Sequence, residues 1–340
     1  IERTAGIVKE LVENSLDAQA DEIKIEIEEG GKKKIKISDN GVGMSQEDVL
    51  LSFKRHATSK ITNVEDLFNI NSLGFRGEAL ASVAEISNVQ ISSKIKDSIQ
   101  GTFLEIESGK LIKNESIGCP DGTIIEVNDI FFNVPARKKY FKSDEIELHQ
   151  IIKIVTKYVL INNDVSIKLI HNNKELINSP KTDSKLNNVM FIYGTEIGKN
   201  LMEVKHEKNG IKLTGFISKP NLTRADKSEQ SIYVNSRYVK NNFVSDAVYH
   251  AYHTLLFINR HPLFILEIEI DPTEIDVNVH PTKNMIKFKN EELVKNEVYA
   301  AVRKAFEKNE LIADTSLENE AGHVPIKKYP FLKDRQSVLT

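Results

Sequence analysis

The stretch KELVENSLDA, residues 9–18, decides how the first part of the chain folds. Its apolar residues, with those just before it, recur at helical spacing and predict a helix with one core-facing stripe. That stripe consists of Ile7, Val8, Leu11, Val12 and Leu16. Glu10, Asn14 and Asp17 stand at i, i+4 and i+7, so they share another face of the helix. Taken alone, this polar face is either a solvated surface or a face turned toward a ligand.

Length and composition limit the class of protein. With 340 residues, 40% hydrophobic and 28% charged, the chain is typical of a globular protein of two domains. We find no signal peptide and no apolar run near the ~18 residues of a membrane span, so we expect no membrane partner. The single cysteine, Cys119, excludes a disulfide framework or a Cys-based zinc site and indicates a reducing compartment. The chain begins with Ile1 almost directly in a helix, so we expect a fragment that lacks its natural N-terminus.

Two alternating stretches, IKIEIE (23–28) and KIKIS (34–38), predict a hairpin. Between them, GGKKK is better explained as a lysine-edged turn than as a phosphate cradle, because no helix follows to aim its amides at an anion. The second strand runs into DNGVGM, which places Asp39 at a strand end with Gly41 and Gly43 beyond it. This is either an ordinary turn or a floor without side chains. On such a floor a flat ring could lie while the Asp39 carboxylate accepts a hydrogen bond from an exocyclic amine.

The segment SLGFRGEAL, residues 72–80, places Gly74 and Gly77 immediately before a predicted helix. Backbone amides and the positive helix end then point at one spot, as in phosphate sites. The polar run 54–73 before it is long for a loop and fits a mobile lid. The chain has neither a P-loop signature nor a dinucleotide fingerprint.

The remaining pattern predicts further elements and a polar domain boundary near 177–188. The expected strands lie at about 89–95, 102–107, 123–127, 211–217, 231–235 and 263–270, the helices at about 144–160, 242–257 and 291–306, and a hairpin turns at Asn172-Asn173.

A helix with Glu and Asn four apart, then DxGxG, then a glycine-bracketed helix start resembles the ATP site of the GHKL superfamily. Three further stretches narrow the resemblance to the MutL family of DNA mismatch repair ATPases: RHATSKI (55–61), FFNVPARKKYF (131–141) and DVNVHPTK (276–283). It covers residues 1 to about 306. It implies an α+β fold with a GHKL-type α/β sandwich at 1–182. A smaller α/β transducer with a ribosomal-protein-like β-α-β unit would follow at 183–308, and a flexible tail or linker at 309–340.

The resemblance also implies roles for single residues. Glu10 would activate the water that attacks the γ-phosphate, and Asn14 would give its amide oxygen to Mg²⁺. Lys283 would reach back from the second domain to that phosphate, with Asn278 shaping its loop. Asp17 is expected to be structural.

For the nucleotide, the resemblance implies that Asp39 reads adenine with support from Thr123, while Gly41 and Gly43 let the ring approach. Lys60 is a lid residue expected to act on the phosphates. The phosphates would be wrapped by Gly74, Phe75, Arg76, Gly77, Glu78, Ala79 and Leu80.

Residues 205–245 carry eight Lys or Arg against three acids, a local balance of +5 in a chain of net −3. The basic residues are Lys205, Lys208, Lys212, Lys219, Arg224, Lys227, Arg237 and Lys240. Such a run is often only a solvated face. By resemblance, Arg237 and Lys240 would contact DNA phosphates without reading sequence. Arg137 to Lys139 form a second basic patch that could equally be structural.

The leading hypothesis is a slow Mg²⁺-ATPase whose ATP binding drives N-terminal dimerisation and a DNA-embracing clamp. Its expected partners are DNA, a mismatch-recognition protein of MutS type, and a second copy or paralogue. The alternative is a nucleotide-gated DNA-binding scaffold with negligible hydrolysis. A type II topoisomerase subunit shares the nucleotide site but not the MutL-like stretches. The expected location is the cytoplasm or nucleoid of a prokaryote or the nucleus of a eukaryote.

Overall fold

Two β-sheets organise the chain in this computed structural model, which describes residues 3–53, 79–276, 286–309 and 311. The elements around the first sheet are α1 (Thr4–Asp17), β1 (Glu22–Glu28), β2 (Lys34–Asp39), α2 (Gln46–Leu51), α3 (Ala79–Ala84), β3 (Asn88–Lys94), β4 (Gly101–Glu107), β5 (Lys110–Ile117), β6 (Gly122–Asn128), α4 (Pro135–Lys138), α5 (Asp144–Ile161), β7 (Ser166–His171) and β8 (Lys174–Ser179). Those around the second are α6 (Lys185–Tyr193), α7 (Thr195–Lys199), β9 (Leu201–Lys208), β10 (Ile211–Ser218), β11 (Thr223–Arg224), β12 (Gln230–Val234), β13 (Arg237–Val239), α8 (Asn242–Tyr252), β14 (His261–Pro262), β15 (Phe264–Glu269), β16 (Ile275–Asp276), β17 (Lys287–Phe288) and α9 (Glu291–Lys308).

The first sheet has eight strands in the order β5-β4-β3-β6-β2-β1-β7-β8. The predicted hairpin is confirmed: β1 and β2 are antiparallel, with Ile25 opposite Ile37 and Glu26 opposite Lys36. The isoleucines are buried on one face. On the other face Lys36 also approaches Glu126 at 3.8 Å. One face of this sheet is therefore apolar and covered, and the other carries paired charges.

Helices α1 and α5 cover the apolar face. The stripe predicted for α1 is buried at Ile7, Val8, Leu11 and Val12, and Leu16 packs partly buried against the same core. In the turn between β1 and β2, Gly30 has a φ of 63° and a Cβ there would lie 2.6 Å from the Asp144 carbonyl oxygen. The turn interpretation of GGKKK is therefore confirmed, because its glycine lets the turn contact the start of α5.

The second sheet has the order β13-β12-β15-β10-β9. Strands β12 and β15 are parallel, and α8 lies between them in the chain, which makes the expected β-α-β unit. Helices α8 and α9 pack on this sheet and on each other, with the Tyr252 ring edge-on to Phe306 at 4.8 Å between centroids. No helix in the described ranges is long and apolar enough to cross a membrane.

Several elements differ from the sequence prediction. Strand β5 was not predicted, because all but its last residue are exposed and the strand shows no alternation of buried and exposed positions. Strand β9 was also missed, although Met202 and Val204 alternate into the core. Helix α8 ends at Tyr252 rather than near 257, because His253 takes a φ of 25° that breaks the helix. The polar run near 177–188 contains the end of β8 and the start of α6.

A polar junction joins α5 to the second sheet. The Lys157 ammonium donates to Ser231 Oγ at 2.7 Å and to the carbonyl oxygens of Ser228 and Gln230 at 3.4 and 3.3 Å. The Tyr233 hydroxyl donates to the Lys157 carbonyl oxygen at 2.7 Å. An apolar cluster surrounds this junction, made of Leu160, Ile161, Val189, Tyr233, Leu263 and Ile265. Burial lowers the pKa of Lys157 to about 8.

This pKa makes the stability of the junction depend on pH. Between pH 8 and 10.5 the folded protein releases the Lys157 proton more readily than the unfolded chain, so this residue raises the free energy of unfolding as pH increases. The effect is at most on the order of 3 kcal/mol. Lys157→Gln removes this effect. In urea titrations, the free energy of unfolding of wild type should therefore rise relative to that of the variant as pH increases over this range. Lys110→Gln, at an exposed position on β5, is the control. Parallel curves for wild type and Lys157→Gln would contradict the prediction.

Candidate functional site

The centre of the site is Asp39, the last residue of β2, which pairs with Thr123 of β6. The Ser15 hydroxyl on α1 donates to Asp39 Oδ2 at 2.7 Å, and the Gly41 amide donates to Oδ1 at 3.0 Å. The backbone of Thr123 donates a further hydrogen bond to this carboxyl. Burial raises the pKa of Asp39, and these hydrogen bonds oppose that rise. The site thus holds a fixed carboxylate that can accept a hydrogen bond from a ligand.

The two glycines after Asp39 bring the loop close to its neighbours. A Cβ on Gly41 would lie 2.6 Å from the Ala18 carbonyl oxygen. Gly43 has a φ of 70°, and its Cβ would lie 2.0 Å from the Lys94 carbonyl oxygen. A side chain at either position would therefore push the loop away from the end of α1 or of β3. Their predicted role of admitting a flat ring stays a prediction.

Two serines of this site were not predicted. Ser15 binds Asp39, as described, and Ser93 supports Thr123: their hydroxyl oxygens lie 2.8 Å apart. Ser93 also donates to the Gly122 carbonyl oxygen at 3.0 Å and accepts from the Met44 amide at 2.9 Å. Register could have found Ser93, which lies opposite Thr123 across β3 and β6. The only signal for Ser15 was its place beside Asn14 in the polar part of the opening helix.

The polar face of α1 leads away from Asp39. Asn14 directly precedes Ser15, and Glu10 lies five residues before it, about 7.5 Å along the helix axis. The Glu10 side chain is 28% exposed, and its Oε1 lies 3.4 Å from Lys9 Nζ. Asp17 is the last residue of the helix. A carboxylate, an amide and a second carboxylate therefore follow one helix toward the strand end.

Several predicted site residues lie outside the described ranges. They are Lys60, Gly74, Phe75, Arg76, Gly77, Glu78, Asn278 and Lys283. Ala79 and Leu80 begin α3, and the Leu80 side chain is buried in the first core. Leu80 could therefore contact a phosphate only through its backbone. In the described part of the chain, no three His, Cys, Asp or Glu side chains are grouped so that they could hold a metal ion.

The basic run at 205–245 does not form a single patch. Lys205 and Lys208 are on β9 and Arg237 is on β13, at opposite edges of the second sheet, about 19 Å apart across four strand spacings. Within the run, Lys212 pairs with Glu269 at 2.9 Å. Arg224 pairs with Glu229. Sheet order therefore separates residues that are neighbours in sequence.

A smaller basic surface remains around Lys240, which is exposed just after β13. Burial is the main cause of the lowered pKa of Lys157, and the positive charges of Lys153 on α5 and of Lys240 lower it further. Both therefore stand near the polar junction. In the second predicted patch, Arg137 lies over the Phe131 ring at 5.9 Å from its centroid, which gives it a packing role.

Residues 2–129, which include β1 to β6 of the first sheet, match the family model of the histidine kinase-, DNA gyrase B- and HSP90-like ATPases. Residues 189–307 match the C-terminal domain of DNA mismatch repair proteins. A solved structure described as the N-terminal domain of a DNA repair protein is 26% identical, with a TM-score of 0.76 and coverage of 92% of this chain and 97% of that one. The Aquifex aeolicus MutL ATPase domain complexed with ADP is also 26% identical, with a TM-score of 0.61 and coverage of 88% and 97%. The fold is therefore that of a GHKL-type ATPase domain followed by a transducer domain.

Sequence relatives narrow this class. The DNA mismatch repair protein MutL of Desulforamulus reducens is 44% identical over 89% of this chain and 47% of its own length. MutL of Streptococcus mutans is 42% identical over 97% of this chain and 51% of its own length. The chain belongs to the MutL family of DNA mismatch repair proteins. It spans about half the length of these relatives.

The raised pKa of Asp39 predicts how the site affects stability. Because the folded protein holds the Asp39 proton more tightly than the unfolded chain, the free energy of unfolding falls as pH rises from the usual value of 3.8 through the folded-state pKa. Asp39→Asn keeps the shape of the side chain and removes the pH-dependent loss of stability, because an asparagine does not titrate. The variant should therefore gain stability over wild type as pH rises, and then stay level, in urea titrations from about pH 4 to 7. Asp164→Asn, at an exposed position, is the control. If the free energies of unfolding of Asp39→Asn and wild type differ by the same amount at every pH, the pKa of Asp39 is not raised in the folded protein.

Proposed function

We propose that this chain binds ATP and slowly hydrolyses Mg-ATP, as the ATPase part of a DNA mismatch repair protein. One observation carries the proposal: three donors fix Asp39 at the end of α1, and the same helix presents Asn14 and Glu10 at increasing distance from it. A nucleotide with adenine at Asp39 would extend its phosphates along this helix. ADP in the Aquifex aeolicus neighbour supports a nucleotide as the ligand.

The chemistry assigned to the helix follows from its side-chain types. The Glu10 carboxylate is partly exposed and can accept a proton from an attacking water. Adenine recognition is separated in space from this step, because Asp39 is engaged by Ser15 and Gly41 at the other end of α1. The first residues of α3 would contribute backbone amides to the phosphates.

Mg²⁺ fits this donor set. The ion prefers oxygen ligands, keeps several waters and is often held by one or two protein oxygens together with substrate phosphates. Asn14 offers an amide oxygen on the same helix as Glu10. As the resemblance to the MutL family implies, we assign the protein's share of the coordination to Asn14. When bound, the ion would neutralise phosphate charge.

The larger function is part of the same proposal. Residues 1–182 would form the nucleotide domain, 183–308 the DNA-binding transducer and 309–340 a flexible tail or linker. ATP binding would drive dimerisation with a second copy or a paralogue and close a clamp on DNA. Lys283 would join the two domains at the γ-phosphate, and Asn278 would shape its loop. Through a MutS-type partner the clamp would relay mismatch recognition to downstream repair factors. The similar MutL proteins are bacterial, which supports the cytoplasm or nucleoid as the place of action.

Hydrolysis tests the role of Glu10. Losing a general base lowers the rate by ~10²–10⁴, so Glu10→Ala should still bind ATP while its steady-state phosphate release falls to background. Glu196→Ala is the control, because that carboxylate is 84% exposed on α7. Equal phosphate release by wild type and Glu10→Ala would refute the assignment. ATP binding without release in either protein would favour the nucleotide-gated scaffold.

Salt dependence of DNA binding tests the basic surface. Arg237→Gln with Lys240→Gln should weaken binding to any DNA sequence and reduce the slope of log affinity against log salt by about 1 for each lost phosphate contact. Lys205→Gln with Lys208→Gln makes the same charge change at the opposite edge of the sheet. That pair should leave the slope near its wild-type value. Equal loss in both pairs would mean that net charge, and not this surface, governs binding.

A further inference from the structure

A chain of four side chains runs from α5 to Glu10. The Tyr158 hydroxyl donates to Glu13 Oε1 at 2.8 Å. The other oxygen of Glu13 accepts from Lys9 Nζ at 3.0 Å, and the same Nζ lies 3.4 Å from Glu10 Oε1. Tyr158 and Glu13 are only 8% and 4% exposed. The chain therefore begins inside the packing of α5 against α1 and ends at the partly exposed carboxylate of Glu10.

Stability alone does not explain this arrangement. Burying a carboxylate between two helices costs free energy unless its oxygens are satisfied. Burial raises the pKa of Glu13, and the contacts of Lys9 and Tyr158 oppose that rise. Burial also raises the pKa of Tyr158 well above its ordinary value, so the hydroxyl keeps its proton and donates. A phenylalanine at 158 and an apolar residue at 13 would pack the same space without these polar groups.

Helix geometry shows what the buried pair does to Lys9. Residues that are adjacent in a helix do not face each other, whereas residues four apart do. Lys9 and Glu13 are four apart, so Glu13 draws the ammonium along the helix. This brings the ammonium within reach of its neighbour Glu10. Without Glu13, the long lysine side chain would sample other rotamers and lose that contact.

We infer that Tyr158 is a positioning residue for the reaction: through Glu13 and Lys9 it holds the Glu10 carboxylate in the orientation from which it meets the attacking water. This rests on the proposed ATPase function. Tyr158 acts from α5, two side chains away from Glu10. A misplaced base raises the barrier to hydrolysis, and an error of about 1 Å can lower a rate ~10²-fold. ATP affinity depends on other contacts, so it should not change.

The test removes one hydroxyl from the full chain. In Tyr158→Phe, phosphate release at saturating ATP should fall about tenfold to a hundredfold, while the dissociation constant for ATP stays within about twofold. In Glu13→Gln, the hydrogen bond from Tyr158 can remain while the charge that draws Lys9 is lost, and the same fall is expected. Tyr252→Phe is the matched control, because its buried hydroxyl donates to the Ser218 carbonyl oxygen in the second core. It should leave both quantities unchanged.

Two further measurements separate positioning from a general structural effect. In a Lys9→Gln background, in which the link between Glu13 and Glu10 is already broken, Tyr158→Phe should cause no additional loss of the residual phosphate release. In the nucleotide-free protein, the ¹³C signal of the Glu10 carboxyl, assigned by its loss in Glu10→Gln, should shift or broaden in Tyr158→Phe and not in Tyr252→Phe. This second readout needs no hydrolysis.

An unchanged carboxyl signal, or a loss of ATP affinity as large as the loss of turnover, would overturn the inference. An additional loss of phosphate release in the Lys9→Gln background would overturn it as well. If wild-type phosphate release does not exceed that of Glu10→Ala, the proposed function fails, and the carboxyl signal still decides whether Tyr158 positions Glu10.

Discussion

The hydrogen bond from Ser15 to Asp39 fixes where α1 stands relative to the end of β2. The rest of the site depends on it, because Glu10 and Asn14 are rigidly placed on the same helix. The other end of α1 is tied to α5, where the buried Thr4 hydroxyl donates to Glu147 at 3.2 Å. Helix α1 is thus held at both ends. A shift of the helix along its axis would move both predicted nucleotide-contacting groups at once.

The elements that the sequence predicted correctly are those that a local pattern of apolar and polar residues specifies. Alternation predicted β1 and β2, and helical spacing predicted α1, because one face of each is buried and the other is not. Strand β5 has no such asymmetry and could not be found. The sequence could not show how the basic residues at 205–245 are distributed in space, because strand order is a non-local property. Sheet order places β9 and β13 at opposite edges, and only the fold shows it.

The candidate site divides in the same way. Glu10, Asn14 and Asp39 were predicted, because motif spacing and family resemblance both depend on short stretches of chain. Their supporting contacts were not. Ser15 reaches Asp39 across 24 residues of sequence, and Tyr158 reaches Glu13 across 145. Nothing in the periodicity of α5 distinguishes a tyrosine that fills space from one whose hydroxyl meets a buried acid on another helix.

Two adjacent residues of α5 give that helix a double role. Tyr158 contacts Glu13 on α1, and Lys157 contacts Ser231 of the second sheet. Both side chains leave the same turn of one helix, so a rotation or displacement of α5 alters both contacts together. A buried hydrogen bond on each side resists such movement, because breaking either would leave a polar group without its partner. The relative placement of the second sheet and the orientation of Glu10 are therefore set by one rigid element, which gives the two halves of the chain a direct mechanical connection.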